Sequence, residues 1–442
     1  MATEHRRRTP VAIIGGGFSG TMVAAHLARR GVQSVIIEPR DVAGRGTAFS
    51  TEEPAHLLNV PAGNMSAWPE APTDFADRAG AESGRFAQRR QFGRYLKSIL
   101  DDAIVSGCAE LVADRAVGAA RSEDGWLVEL EKDGSVRAEA LVLAIGNQPP
   151  AQLPFAAAAG DRLLDNPWGP RARTAIEDAA ARQLDVLILG TGLTMVDVVL
   201  SLDSAGHQGR ILAVSRRGLV PRSHEQHDSA PVDWNELPAG KPREMIAWLR
   251  ERSGTAGWRA AVDSLRPHSQ ALWQSFGTKQ KANFLRHARP WWDVHRHRIA
   301  PEVAQRLSEL MDTGRLSVIA GRLVGVEHQG DDGLEVTIRK RGRDTPEPPQ
   351  RFGYLFNCTG PLGEISRTAD PLLRQLLDDG AARPDALAIG LDVDGRSRAG
   401  PAERLWALGT LTKGRYWEMI AVPDIRQQAA DVAEDIATEL GR

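Results

Sequence analysis

The sequence predicts an α/β fold with two Rossmann-like domains and a helical insert. A strand, a glycine-rich turn, a helix and a second strand open the chain, and the same design returns near residue 186. Each copy is followed by a meander of short strands. The meanders end in buried strands beside a glycine, at Leu141 to Asn147 and at Tyr354 to Gly360. Strands that alternate with helices in this way are typical of mostly parallel sheets covered by helices.

The opening unit begins with a short apolar, β-branched run, Val11 to Ile14, which predicts a buried strand. Gly15, Gly17 and Gly20 follow at the spacing G-x-G-x-x-G. Glycines at these positions allow a tight turn, a close approach of the backbone to a pyrophosphate, and close packing of helix on strand. The turn therefore predicts a dinucleotide site.

The helix of the opening unit is predicted from Thr21 to Arg30, and its N-terminus would direct unpaired N–H groups at the phosphates. A second strand, Val35 to Ile37, ends in Glu38, which lies 18 residues after Gly20. A carboxylate at this place can accept a hydrogen bond from a ribose hydroxyl. Together these elements form a specific signal, whereas the glycines alone would be a weak one.

The second unit repeats the design with one change. Its predicted parts are a strand at Val186 to Leu189, a turn at Gly190 and Gly192, a helix at Val196 to Leu202, and a strand at Ile211 to Val214. Met195 stands where the third glycine would be. We therefore expect the turn to bind phosphate while the helix packs less closely.

The second strand of this unit also ends differently, in Ser215, Arg216 and Arg217 instead of an acid. An acid repels the 2′-phosphate of NADPH, whereas arginines pair with it. The second unit is therefore expected to favour NADPH over NADH. The alternative is that both arginines are ordinary solvated charges.

Two such units in one chain usually hold FAD in the first and NAD(P)H in the second, because the flavin must meet the nicotinamide for hydride transfer. We predict an FAD-binding domain in residues 1–160 and an NAD(P)H-binding domain in 182–362, with a helical insert near 230–312. Residues 363–442 would return to the FAD domain with a strand, Leu405 to Leu411, and a helix starting near Pro423. That helix N-terminus is expected under the flavin; a plain amphipathic helix is the alternative.

The composition excludes several classes of protein. Lys and Arg number 55 against 57 Asp and Glu, a net charge of −2, which indicates neither nucleic acid nor a membrane surface as partner. No apolar run approaches the ~18 residues of a spanning helix, and the run after the basic "HRRR" is too short for a signal peptide. Cys108 and Cys358 form no C-x-x-C motif. We expect a cytoplasmic protein without a metal site, and the oligomeric state stays open.

Three segments carry unusual residues outside the repeated design. In the first, Gly44 to Trp68, two glycines (Gly44 and Gly46) would allow close approach to the cofactor, and Asn59, Asn64 and Met65 would contact cofactor or substrate. A passive loop is the alternative.

The second segment, Ser215 to Asp228, places Arg222 and His224 where they could line the nicotinamide side of a cleft. The third, Phe284 to Pro301, holds a tryptophan pair and Arg296 and Arg298, which could clamp an anion. Buried tryptophans and solvated arginines are the alternative.

The stretches "GGGFSG", "GRGTAFS", "HLLNVPAGNMSAWP", "GTGLTMVDVVLSL", "SRRGLVPR", "WWDVHRHR" and "LGTLTKGRYWEMIAVPDIRQQA" cover nearly the whole chain. Together they resemble a bacterial family of FAD/NAD(P)-binding proteins that includes FAD-dependent urate hydroxylases and flavin-dependent L-aspartate N-monooxygenases. The chain is more distantly similar to ornithine and lysine N-hydroxylases. The resemblance implies NAD(P)H-dependent flavin monooxygenation.

In the implied reaction NAD(P)H reduces FAD, the reduced flavin traps O2 as a C4a-hydroperoxide, and the distal oxygen passes to a small anionic substrate. Urate, hydroxylated at C5 to 5-hydroxyisourate, is the first expectation because the aspartate enzymes are longer. The alternatives are N-hydroxylation of an amino acid such as L-aspartate, a plain NAD(P)H:flavin oxidoreductase, and a non-catalytic redox sensor.

Residue roles follow from the motif matches and from residue chemistry. The residues expected to bind cofactors are Gly15, Gly17, Ser19, Gly20, Glu38, Gly44, Gly46, Asn59, Gly146, Gly190, Gly192, Arg216, Arg217, Gly360 and Gly409. The catalytic candidates are His224, His295 and Arg296, because histidine titrates near neutrality and arginine binds anions. The substrate-binding candidates are Asn64, Met65, Arg222, Arg298 and Arg415.

Overall fold

The computed structural model describes residues 6–41, 43–132 and 134–442. The strands are β1 (Arg6–Ile14), β2 (Ser34–Ile37), β3 (Ala109–Val112), β4 (Ala116–Ser122), β5 (Gly125–Leu130), β6 (Ser135–Leu143), β7 (Leu163–Leu164), β8 (Val186–Leu189), β9 (Ile211–Ser215), β10 (Leu316–His328), β11 (Leu334–Lys340), β12 (Gln350–Phe352), β13 (Tyr354–Asn357) and β14 (Leu405–Ala407).

The α-helices are α1 (Phe18–Ala28), α2 (Gly46–Phe49), α3 (Asp74–Ala79), α4 (Arg89–Val105), α5 (Ala156–Ala159), α6 (Pro170–Arg182), α7 (Leu193–Ser204), α8 (Pro242–Ala256), α9 (Trp258–Ser264), α10 (Ser269–Ser275), α11 (Thr278–Asn283), α12 (Arg289–Arg296), α13 (Pro301–Asp312), α14 (Pro371–Asp378), α15 (Lys413–Tyr416) and α16 (Val422–Glu439). One π-helical turn spans Phe284–Ala288. Short 3₁₀ turns occupy Ala62–Asn64, Gly160–Arg162, Trp234–Glu236, Arg266–His268, Gly330–Asp332, Ile365–Arg367 and Gly409–Thr412.

The first sheet has the order β3-β2-β1-β6-β5-β4, and β14 pairs with β6. Strands β3, β2, β1, β6 and β14 run parallel, whereas β4, β5 and β6 form the predicted antiparallel meander. Leu405 is in register with Leu141. The C-terminal segment therefore returns to the first sheet.

The second sheet has the order β12-β11-β10-β9-β8-β13-β7. Its five strands from β10 to β7 are parallel, and β11 and β12 extend it as an antiparallel meander. The long strand β10 serves both parts: its first half pairs with β9, and its second half pairs with β11 across an irregularity between Leu323 and Gly325. The two sheets thus share one design.

The helices after both glycine turns begin earlier than their predicted starts at Thr21 and Val196. Helix α1 begins at Phe18 and α7 at Leu193, directly after the second glycine of each turn. In both cases that glycine is the N-cap residue, so the turn itself starts the helix. The spacing of apolar residues along the chain does not show where either helix begins.

Two strands also differ in length from their predictions. Strand β1 extends back to Arg6, because Arg6 to Arg8 pair with Ser135 to Arg137 of β6. Strand β14 stops at Ala407, whose partner Leu143 is the last residue of β6, and the chain then forms the 3₁₀ turn Gly409–Thr412. A strand without a partner leaves its backbone groups unpaired, so pairing sets both limits.

Separate apolar cores hold the parts that surround the site. The first sheet packs through Met22 of α1, Phe92 of α4 and Ile436 of α16. The insert has a small core of its own, formed by Val232, Leu237, Met245, Leu265 and Leu272. The predicted domain limits stay a prediction, and residues 1–5 of the first segment lie outside the described residues. Among the described helices, none combines the length and the apolar character that crossing a bilayer requires.

Candidate cofactor and substrate cleft

A cleft of about 2090 Å³ is lined by residues of both sheets' loops, the insert and the start of α16. Pockets for single small ligands are typically ~300–1,000 Å³, so this cleft has room for more than one ligand. The predicted site residues that line it are Gly15, Gly17, Ser19, Glu38, Gly46, Asn59, Asn64, Met65, Gly146, His224, Arg296, Arg298, Gly360 and Gly409.

The first glycine turn opens onto this cleft. Gly15 has φ +103°, and a Cβ there would lie 2.4 Å from the carbonyl oxygen of Ala144. A Cβ on Gly20, which lies behind the turn in α1, would come within 1.9 Å of the carbonyl oxygen of Gly15. Real Cβ atoms do not approach backbone this closely, so both positions require glycine. Helix α1 has no side-chain cap, which leaves its first N–H groups available to an anion.

A loop supports the turn from one side. Gly44 donates its N–H to the carbonyl oxygen of Gly16 at 2.7 Å, and a Cβ on Gly46 would lie 3.0 Å from the Cα of Gly17. Gly46 lines the cleft, whereas Gly44 packs against the backbone of Lys97 on α4. The glycines of this loop therefore allow its backbone to pack directly against the first turn.

Glu38 lies at the end of β2, where the acid was predicted. Its carboxylate accepts the N–H of Gly16 at 2.9 Å and hydrogen bonds from Arg40 at 2.7 and 2.9 Å. Burial alone would raise the pKa of this carboxyl, but the hydrogen bonds and charge of Arg40 lower it below its ordinary value. An ionised acceptor is therefore held at the edge of the cleft, as a ribose hydroxyl requires.

The second glycine turn has the same backbone geometry at its first residue. Gly190 has φ +114°, and a Cβ there would lie 2.1 Å from the carbonyl oxygen of Cys358. Ser215 takes the register position that Glu38 has in the first unit, and its hydroxyl accepts the Thr191 hydroxyl at 2.9 Å. Met195 is fully buried in the core of this half. The second turn is thus built for close approach as well.

This turn does not line the large cleft, although Leu193, Thr194 and Asp197 of α7 do. The predicted residues that lie outside the cleft are Gly20, Gly44, Gly190, Gly192, Arg216, Arg217, Arg222, His295 and Arg415. Gly190 and Gly192 with Arg216 and Arg217 form a separate surface at the end of β9. Their role in coenzyme binding stays a prediction.

His224 lies in the cleft, at the junction of the two halves. Its Nε2 donates to the carbonyl oxygen of Asn59 at 3.0 Å, and its ring packs 5.0 Å from that of Phe86. Burial lowers the pKa of His224, so the ring is neutral at neutral pH. Among the described residues, Nδ1 has no hydrogen-bond partner and can accept a proton.

His295, predicted beside His224 as a catalytic candidate, is not brought to the cleft. Its Nδ1 is bonded to the carbonyl oxygen of Trp291 one turn earlier, and its ring packs edge-on against Trp258. Trp291 and His295 are one turn apart on the same face of α12, and this arrangement holds the His295 ring inside the insert.

The two insert arginines predicted to clamp an anion are already paired. Arg296 donates to Glu418 at 3.1 Å, and both side chains are nearly buried. Arg298 is 2% exposed and binds both carboxylate oxygens of Asp263. The structure therefore corrects this expectation, because each guanidinium charge is compensated within the protein.

Arg222 and Arg415, the remaining substrate candidates, are exposed and lie outside the cleft. The carbonyl oxygen of Arg222 accepts the N–H of Ile299, and its own N–H donates to the carbonyl oxygen of Val294, both at 3.0 Å, which holds its backbone against the insert. Arg415 lies beside the ring of Tyr416. Neither is placed to contact a ligand in the cleft.

A residue that sequence reasoning missed is Arg266, which lies in the 3₁₀ turn after α9 and lines the cleft. Eight arginines line the cleft. The seven others have a carboxylate within salt-bridge distance: Arg40 with Glu38, Arg45 with Glu52, Arg85 with Glu82, Arg89 with Asp197, Arg115 with Glu131, Arg296 with Glu418, and Arg298 with Asp263. In the part of the chain that the structure describes, Arg266 has none. Its sequence context, "LRPHS", resembles an ordinary turn and gave no signal.

The start of α16 reaches the cleft through Ala421, Val422 and Ile425. The helix has Pro423 in its first turn and no side-chain cap, so its N-terminal N–H groups are available. This agrees with the expected position of the helix N-terminus beside the flavin site. One oxygen of Asp424 in this turn is buried and has no partner among the described residues, and burial raises the pKa of that carboxyl.

Comparison with known proteins supports the predicted cofactors. Residues 12–148 match a family described as FAD-NAD(P)-binding. The match spans the first unit and the strand that ends at Leu143, and it confirms the prediction of FAD and NAD(P) binding. No curated protein matches the chain at a significant level.

Solved structures of several flavin enzymes share the fold. L-lysine 6-monooxygenase from Pseudomonas syringae has a TM-score of 0.68 at 16% identity, over 97% of this chain and 99% of that one. Ornithine N-hydroxylase from Kutzneria, solved with reduced FAD, NADP⁺ and L-ornithine, has 0.66 at 16% identity, over 98% and 100%. Bacillithiol disulfide reductase from Staphylococcus aureus has 0.59 at 13% identity, over 98% and 99%. These likenesses confirm the predicted fold class.

Proposed function

We propose that this protein is an NADPH-dependent flavin monooxygenase that hydroxylates a nitrogen atom of a small amine substrate. The observation that carries the proposal is the cleft itself: the FAD turn, the first turn of α7 in the second unit, the insert and the N-terminus of α16 all face one space. The full-length fold likeness to lysine and ornithine N-hydroxylases supports the same reading. That likeness favours nitrogen over C5 of urate as the atom that receives oxygen.

The overall reaction consumes the amine, O2, NADPH and a proton, and yields the hydroxylamine, NADP⁺ and water. Bound FAD would supply the redox chemistry by taking hydride from NADPH and activating O2. The first glycine turn, the acceptor Glu38 and the open N-terminus of α1 would hold it.

The side chains of the cleft would prepare the substrate nitrogen. An amine must lose its ammonium proton before its lone pair can attack oxygen, and the neutral His224 can take that proton at Nδ1. Met65 is buried and lines the cleft, and the rings of Phe86 and Trp168 also lie along it. These apolar groups would limit water near the reacting atoms.

A disulfide reductase is the competing function that shares the fold. That chemistry needs a thiol pair or an exposed reactive thiol. Here Cys358 is buried behind the second turn, burial raises the pKa of its thiol, and Cys108 lies apart at the start of the first sheet. Neither cysteine lines the cleft, which favours oxygen insertion over thiol exchange.

The test follows NADPH and NADH oxidation by the purified, flavin-containing protein in air. L-ornithine, L-lysine, L-aspartate and urate are added separately, and oxygenated product and hydrogen peroxide are measured together. We expect one amine to accelerate NADPH oxidation and to yield about one N-hydroxylated product per NADPH. Electrons that appear only as peroxide, or that pass to a quinone without oxygenated product, would favour a reductase.

A matched variant sharpens this test. His224→Gln keeps a polar side chain but removes the proton acceptor Nδ1. We expect NADPH to reduce the flavin at the wild-type rate while product per NADPH falls about tenfold to 100-fold and peroxide rises. Unchanged product yield would remove His224 from the proposed role.

A further inference from the structure

The charge of Arg266 is the one that the cleft leaves uncompensated. Seven of the eight arginines that line the cleft have a carboxylate partner within salt-bridge distance, and Arg266 has none among the described residues. A guanidinium carries five N–H donors in a fixed planar arrangement and stays charged at any physiological pH. In the absence of a partner it is an open site for an anion.

The charges of Asp424, Asp263 and Glu418 act on Arg266, but among the described residues none of these acids lies within salt-bridge distance of it. Asp424 is buried, and burial raises the pKa of its carboxyl, which disfavours the charged form that would neutralise Arg266. The other two acids are already engaged. Asp263, three residues earlier, is held by Arg298 and lies 3.1 Å from His227. Glu418 accepts from Arg296 and from the indole N–H of Trp292. Neither carboxylate is free to neutralise Arg266, because each would have to leave a nearly buried arginine unpaired.

The position of Arg266 is fixed by its neighbours in the insert. Leu265, directly before it, is 3% exposed in the core of the insert, and Pro267 follows it in the 3₁₀ turn. His268 then bonds to the carbonyl oxygen of Val232 at 2.9 Å. The turn is therefore anchored on both sides, so the backbone that carries Arg266 at the cleft wall needs no rearrangement to meet a ligand.

Burial also makes an anionic ligand favourable at this place. Burial and the positive charge of Arg296 lower the pKa of Arg266, which means that its charged form is not fully stabilised by the protein. A carboxylate that accepts two parallel N–H bonds restores this stabilisation, and Arg is the residue best suited to that geometry.

We propose that Arg266 binds the α-carboxylate of the substrate, so that the cleft selects an amino acid over the corresponding amine without that group. This inference rests on the proposed N-hydroxylation and names its substrate class. Met65 and the proton acceptor His224 line the same cleft, where they would receive the rest of the molecule with its amine. Arg266 is a binding residue in this scheme and takes no part in proton transfer.

Equilibrium binding to the oxidised holoenzyme with NADP⁺ tests the proposal without turnover. The probes are three pairs that differ by the α-carboxylate: L-ornithine and 1,4-diaminobutane, L-lysine and 1,5-diaminopentane, and L-aspartate and 3-aminopropanoate. We expect at least one amino acid to bind the wild type about 100-fold more tightly than its partner, since a site built for a polar group rejects analogues that lack it.

Arg266→Ala should abolish that preference by weakening the amino acid about 100-fold while leaving the decarboxylated partner and the KM for NADPH unchanged. Arg250→Ala is the matched control, because Arg250 is an exposed residue of insert helix α8 and does not line the cleft. It should behave as the wild type. Arg266→Gln, which keeps polarity, provides a second variant, and flavin content and Tm show that each variant is folded.

Three results would overturn the inference. The first is that no amino acid binds better than its decarboxylated partner, and the second is a preference that survives Arg266→Ala. The third is a rise in the KM for NADPH instead, which would assign Arg266 to a coenzyme phosphate.

Amino-acid binding through Arg266 without any hydroxylamine product would leave this inference standing and defeat the proposed function. N-hydroxylation of a diamine that is indifferent to Arg266 would do the reverse.

Discussion

The first residues of the two glycine turns have the same backbone conformation, but the third position of the motif differs between the turns. Gly15 and Gly190 have nearly equal φ values, +103° and +114°, and each abuts a carbonyl just after a neighbouring strand. Gly20 is forced by the carbonyl of Gly15, whereas the equivalent position in the second turn holds the buried Met195. The comparison teaches that contact with the end of a neighbouring strand requires glycine at the first position of the motif. At the third position, glycine is required only where the helix packs closely.

The first hydrogen bond of each helix also differs in length. Thr21 donates to the carbonyl oxygen of Gly17 at 2.9 Å, and Val196 donates to that of Gly192 at 3.3 Å. Because these bonds lie within each helix, the expectation that Met195 loosens the packing of the second helix stays a prediction. The two turns also differ in setting, since the first lines the large cleft and the second does not.

The largest effect is expected from placing a methyl group on the third glycine of the first turn. Gly20→Ala would push a Cβ against the carbonyl oxygen of Gly15, so we expect loss of bound FAD and a fall of about 5 kcal/mol in the free energy of unfolding. Flavin absorbance and urea denaturation measure both.

In the second turn the third position already holds Met195, so the comparison uses the second glycine: Gly192→Ala adds a Cβ with no atom within 4 Å of it. It should keep FAD and stability and raise only the KM for NADPH, because the coenzyme backbone approaches there. Equal damage by both changes would show that the two turns are under the same constraint.

The next largest loss of stability is expected from breaking the ion pair that joins the two halves. Arg89 of α4 donates to Asp197 of α7 at 2.9 Å, and the side chains are 10% and 6% exposed. Arg89→Ala leaves a buried carboxylate unpaired, so we expect a loss of about 3–5 kcal/mol in the free energy of unfolding.

Arg306→Ala is the control for this pair. Arg306 binds Asp203 on the same helix α7, but its side chain is 42% exposed, so its removal should cost about 1 kcal/mol or less. Chemical denaturation of both variants gives the comparison. Similar losses would mean that the buried pair does not hold the halves together.

The third effect is the contribution of His26, in the first unit, to the pH dependence of stability. His26 of α1 is buried with no partner for Nε2 among the described residues, and burial lowers its pKa from 6.5 to about 4. The unfolded chain binds this proton more readily, so stability is complete above pH 6.5 and falls by about 3 kcal/mol as the pH drops towards 4.

Helix α7 of the second unit contains no histidine, so this contribution is made by α1 alone of the two helices. His26→Leu removes this group and should reduce the loss of stability between pH 6.5 and 4, and the loss that stays belongs to His224 and His297, whose pKa burial also lowers. Thermal denaturation across that range measures the difference. A profile that His26→Leu leaves unchanged would place the acid sensitivity elsewhere.

The smallest effect is expected from the coenzyme preference of the second unit. Replacing Arg216 and Arg217 together by alanine removes the charges that would pair with a 2′-phosphate. We expect the KM for NADPH to rise about tenfold to 100-fold while that for NADH stays constant. Steady-state kinetics with both coenzymes provide the measurement, and a parallel rise for NADH would show that the arginines do not read the 2′-phosphate.

Much of the fold was predictable because its signals are local. The glycine spacing, the β-branched runs and Glu38 placed the first unit, and the second unit was found as its repeat. Helix starts were missed by three residues, since the second glycine of each turn acts as N-cap and carries no apolar signal. His295 was predicted as a catalytic candidate but does not line the cleft, because its contacts with Trp291 and Trp258 hold it inside the insert.

The sequence by itself determined the two dinucleotide units, because each depends on residues within some 30 positions of one another. Only the tertiary structure decided which arginine of the cleft has no carboxylate within salt-bridge distance in the described part of the chain. Arg298 meets Asp263, 35 residues away, and Arg296 meets Glu418, 122 residues away, while Arg266 meets neither. The physical reason is that an arginine is neutralised by whichever carboxylate the fold brings near it. The separation of two residues along the chain does not determine their distance in space.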